Sequence, residues 1–222
     1  AGGSLAKKVN FFFQNRLAKL ALFSNKPLHD FLNGWLAVSG PQFPRNIKFY
    51  VISHAVELKL PYIVRFDGST QSHNLSFTDA LVASCSIPMI FPPVPVEEHG
   101  RRHHLVDGGV IGIATINLSL FEGCRTVIMI GNSRPEDMDF QGKGPVGYFE
   151  RRARRMLAMH TQKIYESRVF INSEPDVYQV KPPVDLGLNL LEFDGAKCEK
   201  AFDIGEAEAR NFLHNLEQPA RP

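Results

Sequence analysis

The sequence predicts an α/β fold: a mostly parallel sheet with helices on both faces. Three observations carry this prediction. Segments with apolar residues at helical spacing alternate with short apolar runs of strand length. One such run, "RTVIMIGN" (125–132), is apolar without alternation, as in a strand covered on both sides of a parallel sheet. No internal repeat, low-complexity stretch or linker divides the chain, so its 222 residues read as one domain, 1–222.

The elements follow in order. Residues 5–23 read as a helix, with Leu5, Val9, Phe12, Phe13, Leu17 and Leu20 at helical spacing between Lys and Arg. A Ser-Asn-Lys-Pro break leads to a second helix, "LHDFLNGWLAV", and Pro41 and Pro44 bracket a turn. "NIKFYVIS" (46–53) and "PYIVRF" (61–66) read as strands, with "DGST" a tight reversal. "FTDALVASCS" reads as a helix begun near Ser76 or Thr78 and ended by Pro88. "MIFPPVPV" is extended because its prolines exclude a helix. "HHLVDGGV" follows as a strand, and "TINLSLFEGC" as a helix capped by Gly123. Residues 147–169 form the longest predicted helix. The strand "DVYQVKPP", a short "LNLLEF" segment and a last helix from about Lys197 to Leu216 complete the chain.

Composition narrows the functional classes. A net charge of +2 lacks the basic excess of a nucleic-acid binder, so no nucleic-acid partner is expected. Cys85, Cys124 and Cys198 are odd in number and widely spaced, which fits a reduced compartment better than a disulfide framework or a zinc site. No run is long enough to span a bilayer and no cleavable signal is visible. A cytoplasmic or peripheral-membrane location fits these features. The first residue is not methionine, as in a processed, trimmed or partial chain. No metal or organic cofactor is called for.

The informative stretch is "HHLVDGGVIG" (103–112), where an apolar run delivers Asp107 into Gly108 and Gly109. Asp-Gly-Gly is a common turn, because glycine tolerates positive φ and Asp bonds its own backbone. The same glycines would also let a substrate or another loop approach a carboxylate presented for chemistry.

The surroundings favour the second reading. "ALVASCSIPMIFPPV" (80–94) ends a helix in Ser-Cys-Ser-Ile-Pro and turns through Phe91-Pro92-Pro93 before the Asp-Gly-Gly arrives. This order resembles the patatin-like phospholipases, with their Ala-Ser-x-x-x-Pro helix end, Phe-Pro-Pro turn and Asp-Gly-Gly turn bearing the catalytic aspartate. "TVIMI" and "VKPP…LEFD…AFDIGEAEARNFL" look like the C-terminal part of that family, so the resemblance covers most of the chain. Where the family often has Asn-x-Pro after the turn, this chain reads Ile113-Ala114-Thr115.

The resemblance implies a patatin-like fold and hydrolysis of lipid acyl esters, of phospholipids or acylglycerols, by a Ser–Asp dyad. A serine on a Gly-x-Ser-x-Gly elbow attacks the ester, and Asp107 is its base. A hydroxyl is a poor nucleophile until a base takes its proton, and backbone N–H groups must hold the oxyanion. The chain opens "AGGSLAKK". Either Ser4 is the nucleophile of a degenerate elbow, or Ala1 and Gly2 end the elbow and the serine stands just before Ala1. The second is favoured because an elbow needs glycine at both ends. Asp107 is then expected within roughly 10 Å of Ala1. The family's first strand and oxyanion loop lie upstream of the elbow, so the polypeptide as given is expected to show negligible esterase activity. A non-catalytic relative or a nucleotide-binding module is the alternative. "AGGSLAKK" has a glycine-rich entry to a helix but not the Walker spacing.

Other clusters have plainer readings. Glu97, Glu98, His99, His103 and His104 read as a solvated hairpin tip before they read as a metal site. Arg151, Arg152, Arg154 and Arg155 suit a solvated helix face, with contact to a membrane surface as the rival. Ser84 and Ser86 are expected to cap or pack the turn before Pro88, and Cys85 to act as a small buried hydrophobe. Phe11, Phe12 and Phe13 are expected in the core.

Overall fold

The computed structural model describes residues 21–39, 47–67, 75–108, 123–131, 147–148, 151, 176–188 and 194–217. The chain divides into two compact units, residues 1–115 and 116–222. Of the helix predicted over 5–23, residues 21–23 are not helical. Its residues 5–20, residues 68–70 of the "DGST" reversal, the body of "TINLSLFEGC" and most of "LNLLEF" lie outside the described residues. So does nearly all of 147–169, although Gly147, Tyr148 and Arg151 are helical.

In the first unit, helix α1 (Lys26–Ser39) is followed by strands β1 (Phe49–Ala55) and β2 (Leu60–Phe66). Helix α2 (Phe77–Ser84) and strands β3 (Val94–Glu98) and β4 (Arg101–Val106) complete it. The strands form one sheet in the order β2-β1-β4-β3, every pair antiparallel. This corrects the expectation of a mostly parallel sheet. The reason is loop length: residues 56–59 join β1 to β2, and His99-Gly100 join β3 to β4. Parallel neighbours need a crossover of a dozen or more residues. His99 (φ 50°) and Gly100 (φ 72°) both have positive φ, as a two-residue turn matched to strand twist requires. Pro95 sits on β3, an edge strand, where its missing N–H breaks no ladder.

The core lies on one face of this sheet. Val51 and Ala55 of β1, Tyr62, Val64 and Phe66 of β2, and Leu105 of β4 meet Ala80, Val82 and Ala83 of α2. The two alanines present little bulk to the strands beneath α2. Ser76 caps the helix, its hydroxyl accepting from the Asp79 N–H at 3.0 Å. Phe77 packs edge-on against Phe49 and Phe66, with ring centroids 5.4 and 5.0 Å apart. α1 packs on α2 through Leu32 and through Thr78, whose hydroxyl donates to Asn33 Oδ1 at 2.7 Å.

In the second unit β5 (Thr126–Ile130) and β6 (Asp176–Val180) pair in parallel, Thr126 opposite Asp176 and Ile130 opposite Val180. The parallel direction agrees with the apolar run, but Val127 is buried while Ile128 and Ile130 are exposed. α3 (Gly195–Glu217) starts at Asp194, whose carboxylate accepts from the Lys197 N–H at 2.9 Å, and packs Phe212 on Tyr178. No helix among the described residues is long and apolar enough to cross a membrane.

Leu105 is 0% exposed at the centre of the sheet. Leu105→Ala should therefore destabilise the fold by about 2–5 kcal/mol. A urea midpoint with unchanged slope measures this, and a loss under about 1 kcal/mol would show that the centre of the core lies elsewhere.

Candidate active site

β4 ends at Val106, and the next residue is Asp107. Two anchors fix the backbone there. On one side β1 pairs with β4, His54 opposite Val106 and Ala55 opposite Leu105. On the other, the Asp107 N–H donates to the Ser86 carbonyl at 2.8 Å. The end of a strand is thus tied to the end of a helix. Asp107 is half-buried and Gly108, which follows it, is buried and helical. Ala1, Gly2, Ser4 and Gly109 lie outside the described residues.

The Ser86 side of this tie is a run of tight turns. The Ser86 N–H donates to the Ala83 carbonyl at 3.1 Å, and the Phe91 N–H to the Ile87 carbonyl at 2.9 Å. Met89 has φ 70°, the left-handed region that a non-glycine residue seldom occupies. Residues 22–25 run alongside this turn. Leu22 N–H donates to the Met89 carbonyl at 3.2 Å, Phe23 N–H to that of Ile90 at 2.9 Å, and Asn25 Nδ2 to that of Pro92 at 3.2 Å. Ser84 and Ser86 behave as turn-packing residues: their hydroxyls donate to the Leu81 and Val82 carbonyls at 2.8 and 2.7 Å.

Cys85 departs from expectation, because the residue is exposed. The protein around its thiol nevertheless raises the pKa, first by burial and then by the nearby Asp107 charge, against a lowering contact with Ser84 Oγ at 3.9 Å. The raised pKa keeps the thiol in its protonated form at neutral pH. Cys124 and Cys198 are also free and exposed.

The histidine cluster resolves into separate roles. His99 is exposed at the hairpin tip, as read from the sequence. His103 is 8% exposed on the core side of β4, so it is not part of a solvated tip. His104 clasps the turn after β1: its N–H donates to Glu57 Oε2 at 2.8 Å, and its Nδ1 lies 2.6 Å from Glu57 Oε1. Burial alone would raise the Glu57 pKa, but the His104 hydrogen bonds outweigh it and leave the carboxyl below its ordinary value. Among the described residues no group of His, Cys, Asp and Glu could hold a metal ion. Arg151 is half-buried, while Arg152, Arg154, Arg155 and Phe11–Phe13 lie outside the described residues.

His54, the cross-strand neighbour of Val106, lies one residue past the strand read over 46–53 and gave no signal in the sequence. It is 4% exposed, and its Nδ1 is buried without a hydrogen-bond partner among the described residues. Burial holds its pKa below 6.5. What sequence reasoning missed nearer Asp107 is the Ser86 carbonyl, because no residue pattern reports a backbone acceptor.

A half-buried carboxylate held at a strand end, followed by a buried glycine, can serve as a base for a group brought beside it. The family model for patatin-like phospholipases matches residues 5–116, just over half of the 222, and the chain belongs to that family. No curated protein and no solved structure matches the chain.

Two outcomes follow from these environments. The unfolded chain binds a proton at His54 more readily than the fold does, so stability should fall as pH drops below 6.5 towards the lowered folded pKa. In His54→Phe the pH slope of unfolding free energy below 6.5 should flatten; an unaltered slope would mean that His54 is not held neutral. The second concerns Cys85, in a Cys124→Ser/Cys198→Ser background. Asp107→Asn should move the pH profile of Cys85 alkylation by iodoacetamide to lower pH, since the neighbouring negative charge is gone. No movement, or movement upward, would separate the two side chains.

Proposed function

We propose that this protein hydrolyses lipid acyl esters through a Ser–Asp dyad in which Asp107 is the general base. The nucleophile is Ser4 or a serine immediately before Ala1. Its hydroxyl gives its proton to the Asp107 carboxylate while the oxygen bonds the acyl carbon. The tetrahedral oxyanion is held by backbone N–H groups. Collapse breaks the ester bond, and Asp107 returns the proton to the departing alcohol. Water then attacks the acyl-enzyme and gives its proton to Asp107; as the acyl–oxygen bond breaks, Asp107 passes that proton to the serine oxygen and the fatty acid leaves. In this reading the approach to lipid is peripheral and needs no metal or organic cofactor.

The observation that supports this most is the placement of Asp107. Its amide is fixed from α2 at 2.8 Å and its strand is fixed from β1, so the carboxylate starts from an anchored backbone, within the part of the chain that the family model matches. Anchoring matters because small misplacements of a base cost large factors in rate.

Asp107→Asn, made in a form that carries a complete elbow, should lower turnover of p-nitrophenyl butyrate by about 10³–10⁴-fold with the fold intact, since an amide cannot accept the serine proton. Ser4→Ala in the same form distinguishes the two nucleophiles: it abolishes turnover only if Ser4 is the attacking residue. Turnover near that of the unmutated protein in Asp107→Asn would return the Asp-Gly-Gly to a turn.

A further inference from the structure

We infer that Ser86 is the positioning residue for Asp107, acting through its own backbone carbonyl; the inference rests on Asp107 being the base. In a regular helix the Val82 carbonyl would accept from the Ser86 N–H four residues on. Here that N–H turns to Ala83 instead, at 3.1 Å, as the last turn tightens. The Ser86 hydroxyl takes the amide's place and donates to the Val82 carbonyl at 2.7 Å. The one other N–H on that carbonyl among the described residues belongs to Cys85, at 3.2 Å, shared with the Leu81 carbonyl. Ser86 is 1% exposed, so water does not replace its hydroxyl cheaply.

The hydroxyl bond and the Ile87 N–H, which donates to the Cys85 carbonyl at 3.0 Å, together set where the Ser86–Ile87 peptide sits, and that peptide's carbonyl receives the Asp107 N–H at 2.8 Å. Position passes from the body of α2 to the Ser86 side chain, to its carbonyl, and to the amide of the base. Pro88 follows two residues later and, having no N–H, cannot add a helical bond that would hold the turn in its place. Ser84, the other serine of the run, donates to the Leu81 carbonyl, whereas the Asp107 amide donates to the Ser86 carbonyl, so the two serines are not equivalent.

The test compares Ser86→Ala and the nearly isosteric Ser86→Cys with Thr78→Val, which removes another buried hydroxyl bond from the same helix, the one to Asn33. Each is made in the form carrying a complete elbow, and Tm, kcat and KM are measured. Both Ser86 variants should lose about 10–100-fold in kcat with KM changed less than about twofold. Thr78→Val should keep its kcat at a similar loss of Tm. If Ser86→Ala does not fold, Ser86→Cys, which keeps the volume but donates weakly, carries the comparison. Unchanged kcat in a folded Ser86 variant, or an equal fall in Thr78→Val, overturns the positioning role. Full activity in Asp107→Asn instead removes the base itself, and so tells the two failures apart.

Discussion

One hydrogen bond joins the two halves of the candidate site: the Asp107 N–H to the Ser86 carbonyl, 2.8 Å long, from the end of β4 to the end of α2. Without it a strand terminus and a helix terminus would each end in unsatisfied backbone groups beside a carboxylate. With it, the placement of Asp107 becomes a property of the whole core of the first unit. Ala80 and Ala83 bring α2 close to the sheet, Leu105 and Val106 are buried in β4, and β1 holds β4 from the opposite side. The rigid parts of the fold thus converge on one residue.

The antiparallel sheet is what makes this convergence possible with so little chain. Two hairpins, β1–β2 and β3–β4, meet at the β1–β4 pairing, and that pairing covers the last two residues before Asp107. Glu57 and His104 close the turn after β1 onto β4 a few residues away. The Glu57 carboxyl stays charged to lower pH than usual, so this clasp persists above its lowered pKa and weakens only in acid as the carboxyl protonates.

Much of the local structure was legible from residue types. Ser76, one of two starts read for α2, caps it, and Pro88 marked its end, though α2 already stops at Ser84. Of the Glu97–His104 tip only the His99-Gly100 turn and its exposed flank hold. Caps, prolines and positive-φ turns act over a few residues. Strand direction was not legible: alternation in 49–55 and 60–66 reports which face is buried but not which neighbour pairs. The hint lay in the four residues between them, too few for a crossover. Asp107 stood out through its glycines and the family resemblance. Cys85 was misread because an apolar helix end does not reveal which of its side chains faces out. Ser86 was read as packing the turn, which it does; its link to Asp107 runs through backbone atoms and could be found only in three dimensions.

The proposed dyad requires Asp107 to face a serine hydroxyl. The most direct measurement is the distance between the Asp107 carboxylate and the nucleophile's Oγ, in a crystal structure of a form carrying the complete elbow. A Ser–Asp dyad places them about 2.6–3.2 Å apart, or one bridging water apart, with the carboxylate directed at the N-terminus of the helix that follows the elbow. A serine on the opposite rim of the sheet, with Asp107 turned away from it, would rule out Asp107 as its base.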